Sequence, residues 1–359
     1  MTVINLNACV PESHPLRAIK GRIEMVLKKL SPLFDQLYAQ SGRPSIPPEQ
    51  LLKARVLTAL YSVRSARLFC EQLGYNLLWL CFLDRELSEG SFDHSVFSQN
   101  YERVLSAEVA QLFFNEVYDL SRQEGWTSDE HFTVDGTLIE SWASLKSFVR
   151  KDGKDDKKVE KAKDDDPGNP TISFHGEKRC NETHQSTTDP QSVLYRKGQG
   201  KEAKLCFGGQ ILMENRNGLC ADITIHNPIE QSEPAVALEQ LDKHVQLHEA
   251  TQPKTVGADK AYHQKSFVAG CREREVSPHV ACKEGVKVAG LDGRTTNKAG
   301  YQISERIRKR VEEIFGWMKT VGGLRRSRYL GIERTQAAAY FVAGSYNLLR
   351  LAKLGTTPP

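Results

Sequence analysis

His131-Phe132-Thr133-Val134-Asp135-Gly136-Thr137-Leu138-Ile139 is a short run of apolar, β-branched and aromatic residues with one carboxylate at its centre. Its composition predicts a strand. An isolated charge inside such a strand is costly unless it is paired or bound to a cation. Thr255-Val256-Gly257-Ala258-Asp259 repeats the situation, a buried-strand pattern that ends on a second aspartate. A single aspartate of this kind is ordinarily a turn or a helix cap. Two at matching places, near strand ends that face one crevice, point instead to a metal site. Mg²⁺ favours carboxylates and water and takes few dedicated protein ligands.

A third carboxylate comes from RIRKRVEEIFGWMK, residues 306–319, within a strongly periodic helix expected over 303–319. Arg308, Glu312 and Lys319 stand at i, i+4 and i+11, about 0°, 40° and 20° around a regular α-helix, and so share one stripe. Ile307, Val311, Ile314 and Met318 form an adjacent apolar stripe suited to packing on a sheet. Glu312 therefore borders the core within reach of a metal, while Glu313 points about 100° away, toward solvent. The helix and its exit also carry Arg306, Arg308, Lys309, Arg310, Lys319, Arg325, Arg326 and Arg328. A solvated helix laced with i,i+4 pairs is the plain reading of such a segment. Basic residues outnumber acidic ones too far for internal pairing to absorb them, whereas a polyanion does so by releasing the counterions of its phosphates.

Outward from these segments, strands are expected at 203–213 and 219–226. Asn215-Arg216-Asn217-Gly218 lies between them, and Asn-Gly is a strong hairpin signal. Helices are expected at 233–247 and 260–273, a strand at 276–282, and a mostly apolar helix at 336–354. A hairpin followed by strands alternating with helices indicates a mixed sheet of α/β type. Before this, the texture is helical. Ser13-His14-Pro15 opens a segment with Ile23, Val26, Leu27 and Leu30 at helical spacing. Pro47-Pro48-Glu49 marks a second helix start, and helical stretches follow at 51–83 and 92–122, broken by Gly90-Ser91. These short helices either include a helix-turn-helix that docks on DNA or form a plain bundle or dimerisation module.

Lys146 to Asp166 is almost wholly Lys, Asp and Glu and runs into Pro167-Gly168-Asn169-Pro170. Such a run cannot bury enough apolar surface to order itself, so 146–170 is expected to be a solvated, flexible insertion. Three regions result: a helical N-terminal domain at 1–125, an α/β core at 126–335 containing that insertion, and a C-terminal helix at 336–359 packing on the core.

Composition bounds the function class. At 359 residues with 39% hydrophobic, the chain is able to bury a real core. No apolar run approaches the roughly 20 residues that span a bilayer, and MTVINLNACVPESHP lacks the features of a signal peptide, so a cytosolic protein is expected. The eight cysteines include no CxxC pair, which favours buried reduced thiols over zinc sites or disulfides. A net charge of +4 is compatible with a nucleic-acid partner. His131, His175, His184 and His263 lack any HExxH-like spacing and are read as structural or phosphate-facing. There is no GxSxG context for a serine nucleophile. Asp222, near a strand end, is the substitute should one of the three carboxylates be misassigned, and Trp317 is read as packing or as stacking a displaced base.

At Arg308, Glu312 and Lys319 the chain resembles the bacterial insertion-sequence DDE transposases marked by a Tyr-Arg-Glu-Lys signature. In that signature three residues separate Arg from Glu and six separate Glu from Lys, as they do here. The family tyrosine falls at Glu305, so that element is absent. TVDGTLIESWAS (133–144) resembles the segment carrying the first family aspartate, and VGADKAYHQKSF (256–267) the segment carrying the second. GKEAKLCFGGQILMENRNGL (200–219) and IPPEQLLKARVLTALYSVRSARLFCEQLGYNLLWLCFL (46–83) also look like this group.

The resemblance implies a ribonuclease H-like mixed five-stranded sheet with flanking helices, preceded by an all-helical N-terminal domain. Asp135 would lie on the first strand, Asp259 after the fourth and Glu312 on a later helix, together holding two Mg²⁺ ions, with Mn²⁺ as a substitute. The implied reaction is cleavage at transposon ends followed by transfer of a 3′-hydroxyl into target DNA. Arg308 and Lys319 would hold terminal phosphates, and Arg325 and Arg326 would add to the DNA-binding surface. Lys260 and Tyr262 either contact DNA or simply start a helix. Expected partners are double-stranded DNA (terminal inverted repeats and target) and a second copy in a dimeric synaptic complex, in the bacterial cytoplasm and on the nucleoid when DNA-bound. Two other readings stand beside this one. A metal-dependent, structure-selective nuclease on the same core would cleave without strand transfer, and a catalytically silent DNA-binding descendant would bind without cleaving.

Overall fold

The computed structural model describes residues 5–37, 45–103, 106–152, 179–198, 200–248 and 252–355. Its first helices are α1 (Leu6–Cys9), α2 (Pro15–Leu37), α3 (Pro48–Leu60), α4 (Ala66–Leu73), α5 (Leu77–Phe82), α6 (His94–Arg103) and α7 (Ala107–Gln123). α2 buries Leu16, Ile19, Ile23, Val26, Leu27, Leu30 and Phe34, mostly three and four residues apart, which brings them to one inward stripe. α3 starts on Pro48, where the missing N–H costs nothing.

The single helical stretch expected over 51–83 is three helices. Small polar residues divide it: Ser65 accepts the Leu68 amide to cap α4, and Asn76 accepts the Trp79 amide to cap α5. Ser106 likewise separates α6 from α7 by accepting the Val109 amide.

The sheet that follows contains β1 (His131–Glu140), β4 (Val193–Tyr195), β5 (Lys204–Glu214), β6 (Cys220–His226), β7 (Thr255–Ala258) and β8 (Ser277–Val280); β2 (Phe148–Arg150) and β3 (His184–Ser186) pair separately. β5 runs antiparallel to β1, and β6 antiparallel to β5, joined at a turn where Gly218 takes φ 69°. β7 and β8 run parallel to β1 on its other side. The order β6-β5-β1-β7-β8 is ribonuclease H-like. Six strands stand in the sheet rather than the expected five, because the three-residue β4 pairs with Lys204–Cys206 along the edge of β5 that β6 occupies further on. β2 also shows that structure extends into the start of the expected 146–170 insertion; residues 153–178 lie outside the described residues.

Helix α8 (Glu233–His248) connects β6 to β7, and α9 (Lys265–Glu273) connects β7 to β8. The helix expected at 260–273 is a 3₁₀ turn at Lys260–Tyr262 and then α9. After β8 come α10 (Gly293–Thr296), α11 (Ala299–Ile307) and α12 (Val311–Thr320), with a 3₁₀ turn at Arg308–Arg310 interrupting the helix expected over 303–319. The last described element is α13 (Ile332–Leu354).

α13 joins the two halves of the molecule. Its small residues let neighbours come close: a methyl on Gly344 would stand 2.9 Å from the Phe113 ring on α7. Phe113 packs on Phe341 and Phe114 on Tyr340, each with centroids 5.5 Å apart. One continuous cluster of buried residues runs from Ile19 and Ile23 through Phe113, then Phe207, Ile211 and Ile223 of the sheet, to Ile314 and Ala343. A second core, with Phe132, Val134, Leu241 and Phe267, fills the opposite face of the sheet under α8 and α9. Cys70, Cys206, Cys220 and Cys271 are buried free thiols, while Cys9 and Cys282 are exposed. Among the described residues no helix is long and apolar enough to cross a membrane.

Within the second core, His244 is fully enclosed among Tyr118, Phe132 and His248, and neither ring nitrogen has a hydrogen-bond partner. Nε2 lies 3.9 Å from Asp129, beyond hydrogen-bond reach. Burial pushes its pKa down to about 4, with His248 and Arg122 lowering it further and Asp129 and Asp222 opposing. The folded ring therefore stays neutral while the unfolded one takes a proton below about 6.5. Stability is present above that value and is lost as pH falls toward 4, by at most about 3 kcal/mol from this group. His244→Phe, which keeps the aromatic contacts, is expected to flatten the decline in denaturant midpoint between pH 6.5 and 4. An unchanged slope would assign that decline to other groups.

Candidate active site

β1 is ten residues long, but β7 pairs only with its first three, Thr133↔Gly257 being the last pair. Carried two residues on, that register sets Asp135 beside Asp259, just past the end of β7. Asp259 thus stands just past the carboxyl end of β7, and Asp135 faces the same opening from the middle of β1, where that strand runs on beyond its parallel neighbour. Open α/β sheets bind ligands at such a place.

Asp135 pairs with Ile211 across β5 and so shares the sheet face covered by α12 and α13. Its Oδ1 accepts the Gly136 amide at 2.8 Å. Burial pushes its carboxyl up to about 6, against the pull of the Gly136 amide, Lys197 and Arg308, and the charge of Asp259 raises it further. Asp259 is half-buried and does serve as a cap, accepting the Ala261 amide at 2.7 Å, so the ordinary role of a strand-end aspartate coexists with its place in the site.

The helix over this face meets the site at several points. Arg308 Cβ lies 3.7 Å from where a Gly257 Cβ would stand, and Lys319 donates to the Thr137 hydroxyl. Val311, Ile314 and Met318 are buried as the apolar stripe requires. Glu312 is exposed. Glu312 and Lys319, seven residues apart within α12, stay on one stripe. Arg308 stands in the 3₁₀ turn at 308–310, which advances about 120° per residue instead of about 100°, and is rotated relative to both. Glu305, at the position of the missing tyrosine, is half-buried and bonds Arg308 Nε at 3.2 Å. Burial raises its carboxyl, Arg308 lowers it, and the charge of Asp259 raises it again.

The remaining sequence candidates divide. Lys260 and Arg325 are exposed. Arg326 donates to the carbonyls of Ser141 and Trp142 and stacks on the exposed Trp142 ring at 5.2 Å, fixing the exit of β1. Tyr262 is corrected: its side chain is fully buried and its hydroxyl accepts from Gln210 Nε2 at 2.6 Å, which leaves no face for DNA. Asp222 is buried and bound by Lys243 and Gln240, so it is no substitute ligand. Trp317 packs edge-on against Tyr346. His131 bonds Thr255, and His263 accepts the Lys283 amide. His175 lies outside the described residues.

Two residues were missed. Glu233 opens α8 and lies against Gly136: a Cβ there would stand 2.4 Å from Glu233 Cδ. Burial raises the Glu233 carboxyl, Lys197 lowers it, and Asp135 and Asp259 raise it. Lys197 donates to the Gly136 carbonyl at 3.3 Å. Nothing in the sequence marks either, since a glutamate in the first turn of a helix is an ordinary complement to its dipole. Among the described residues no three His, Cys, Asp or Glu side chains form a ready-made cage. Mg²⁺ does not need one, because it is commonly held by one or two carboxylates with substrate phosphates and water.

Two family models match the sequence. A transposase domain (DUF772) matches residues 4–103 and a transposase DDE domain matches residues 174–348, together more than three quarters of the chain. Asp259 and Glu312 fall inside the second match, and Asp135 lies between the two. No curated protein matches. Among solved structures, a piggyBac transposase synaptic complex with hairpin DNA is similar at 10% identity and a TM-score of 0.41, over 98% of this chain and 78% of that one. The Mos1 strand transfer complex is similar at 8% identity and a TM-score of 0.21, over 88% and 79%. Scores this low leave the fold to rest on its own strand order.

Proposed function

We infer the chemistry of this chain from the premise that it belongs to the DDE transposases of insertion sequences. The family generally works with divalent metal ions. We propose that Asp135, Asp259 and Glu312 are the carboxylates of its active site and that they hold two Mg²⁺ ions, or Mn²⁺ in their place. The observation that carries this reading is the placing of Asp135 beside Asp259 by the register of β1 on β7, where β1 outruns β7, with the Asp135 carboxyl raised by burial and by the charge of Asp259. When bound, the ions would activate the attacking hydroxyl and stabilise the leaving oxygen.

The chain's own groups do the rest. Burial lowers the Lys319 ammonium, and the neighbouring charges of Lys197 and Arg325 lower it further. Such crowding of cations is relieved by a phosphate, so Lys319, Lys197 and Arg325 are suited to the backbone of a DNA end. Arg308, already oriented by Glu305, presents a planar guanidinium to the same strand. Lys260 and Arg326 complete the DNA-facing set. The partners are then the terminal inverted repeats and target DNA, gripped by a dimer in the synaptic complex, with residues 1–125 as the end-binding or dimerisation region.

Strand transfer is the test: purified protein, Mg²⁺ and labelled DNA carrying the ends that flank its own gene, alongside Asp135→Asn. Joined products that need both Mg²⁺ and Asp135, with a loss of about a thousandfold or more in the variant, are expected. Cleavage without joining would make the protein a nuclease. Binding without cleavage, alike in both proteins, would refute the assignment of the carboxylates.

A further inference from the structure

We propose that Glu233 is a fourth carboxylate of the metal site and that Lys197 is the resident cation it exchanges for metal. The proposal rests on the assignment of Asp135 and Asp259 above.

Three groups converge on one glycine. Asp135 Oδ1 takes the Gly136 amide, Lys197 Nζ takes the Gly136 carbonyl, and the Glu233 carboxylate lies against its Cα. A Cβ at residue 136 would stand 2.5 Å from Glu233 Oε1 and 2.9 Å from Oε2, closer than any real contact, so only glycine admits that carboxylate against β1, one residue along from Asp135 and on the face turned to α8. A glutamate in the first turn of a helix usually extends into water, where it complements the helix dipole at little cost. Here it is turned inward onto a strand and half-buried. Among the described residues no hydrogen-bond donor or ion-pair partner reaches it, and Lys197 is the cation whose charge acts on both Glu233 and Asp135. Burying a carboxylate beside two others without a direct partner is costly, and a cation between them removes the cost. The Lys197 side chain is exposed and can withdraw, whereas Glu233 stands in the first turn of α8, half-buried against Gly136. Metal entry would therefore displace the ammonium and free it for a phosphate.

The experiment measures Mn²⁺ binding to the full chain without DNA, by loss of the free-ion electron paramagnetic resonance signal, in wild type, Glu233→Gln, Gly136→Ala, Lys197→Met and Asp135→Asn. Metal-free melting temperatures verify that each variant folds. Glu233→Gln is expected to weaken binding about tenfold. Gly136→Ala should reproduce that loss by displacing the carboxylate, and Lys197→Met should tighten binding. Wild-type binding by Glu233→Gln, with a loss in Asp135→Asn, would overturn the proposal and leave the active-site assignment standing. Unchanged binding in Asp135→Asn would overturn the assignment and the proposal together. As a second readout, the Mg²⁺ concentration for half-maximal cleavage should rise by a similar factor in Glu233→Gln.

Discussion

Glu312→Gln is expected to lower strand cleavage and joining by about a thousandfold or more while end binding stays within about threefold of wild type. The substitution keeps the shape of the side chain and deletes the charge of the proposed third metal ligand. Because Glu312 is exposed on α12, neither folding nor packing opposes the change, and a loss of activity reads as lost chemistry. Glu305→Gln is the necessary comparison. Glu305 lies seven residues back, about two helical turns, and its charge interacts with Asp259. It is also occupied by Arg308, so its removal should release that guanidinium and weaken DNA binding with a smaller effect on the chemical step. The reverse pattern, an active Glu312→Gln and an inactive Glu305→Gln, would move the third ligand to 305.

Phe113→Ala is expected to cost about 3–5 kcal/mol of stability, the usual range for deleting a fully buried phenylalanine. Its ring lies between α7 and α13, in contact with Phe341 and close over Gly344, where collapse around the cavity is limited by helix backbones. The effect should extend to the whole molecule, since the same apolar cluster includes residues of α2, α7, the sheet and α13. Denaturant unfolding followed by far-ultraviolet circular dichroism, and by tryptophan fluorescence, should shift together in one transition. Two separated transitions, with only one moved by the variant, would show that residues 1–125 form an independent domain.

The sheet was legible because its strands carry their own signals. Apolar runs around Asp135 and Asp259, and the Asn-Gly turn at 217–218, state strand, strand end and hairpin without reference to anything distant. Helix boundaries were less so. The splits at Ser65, Asn76 and Ser106 depend on single capping side chains, which resemble ordinary surface residues inside a helical pattern. Asp135 and Asp259 were identifiable as a pair because a charge in an apolar strand is conspicuous. Glu233 was not, because the feature that sets it apart is its contact with Gly136, about a hundred residues away and set by the crossover from β6 into α8. Tyr262 was misread for a similar reason: adjacency to Asp259 in sequence says nothing about which way a ring points when the chain enters a 3₁₀ turn.

α13 carries a further implication, for the order in which the protein is made. It follows every other described element in the chain, yet it lies between α7 and β6 and supplies both with apolar partners. Translation at about 5–20 residues per second would separate the end of α7 at Gln123 from the start of α13 at Ile332 by roughly 10–40 s. During that interval the helices have one another to pack on, but the surface that α13 covers, with Phe113 and Phe114, is bare. A copy that stops before α13 is expected to expose that apolar surface, the kind that chaperones hold and that aggregates.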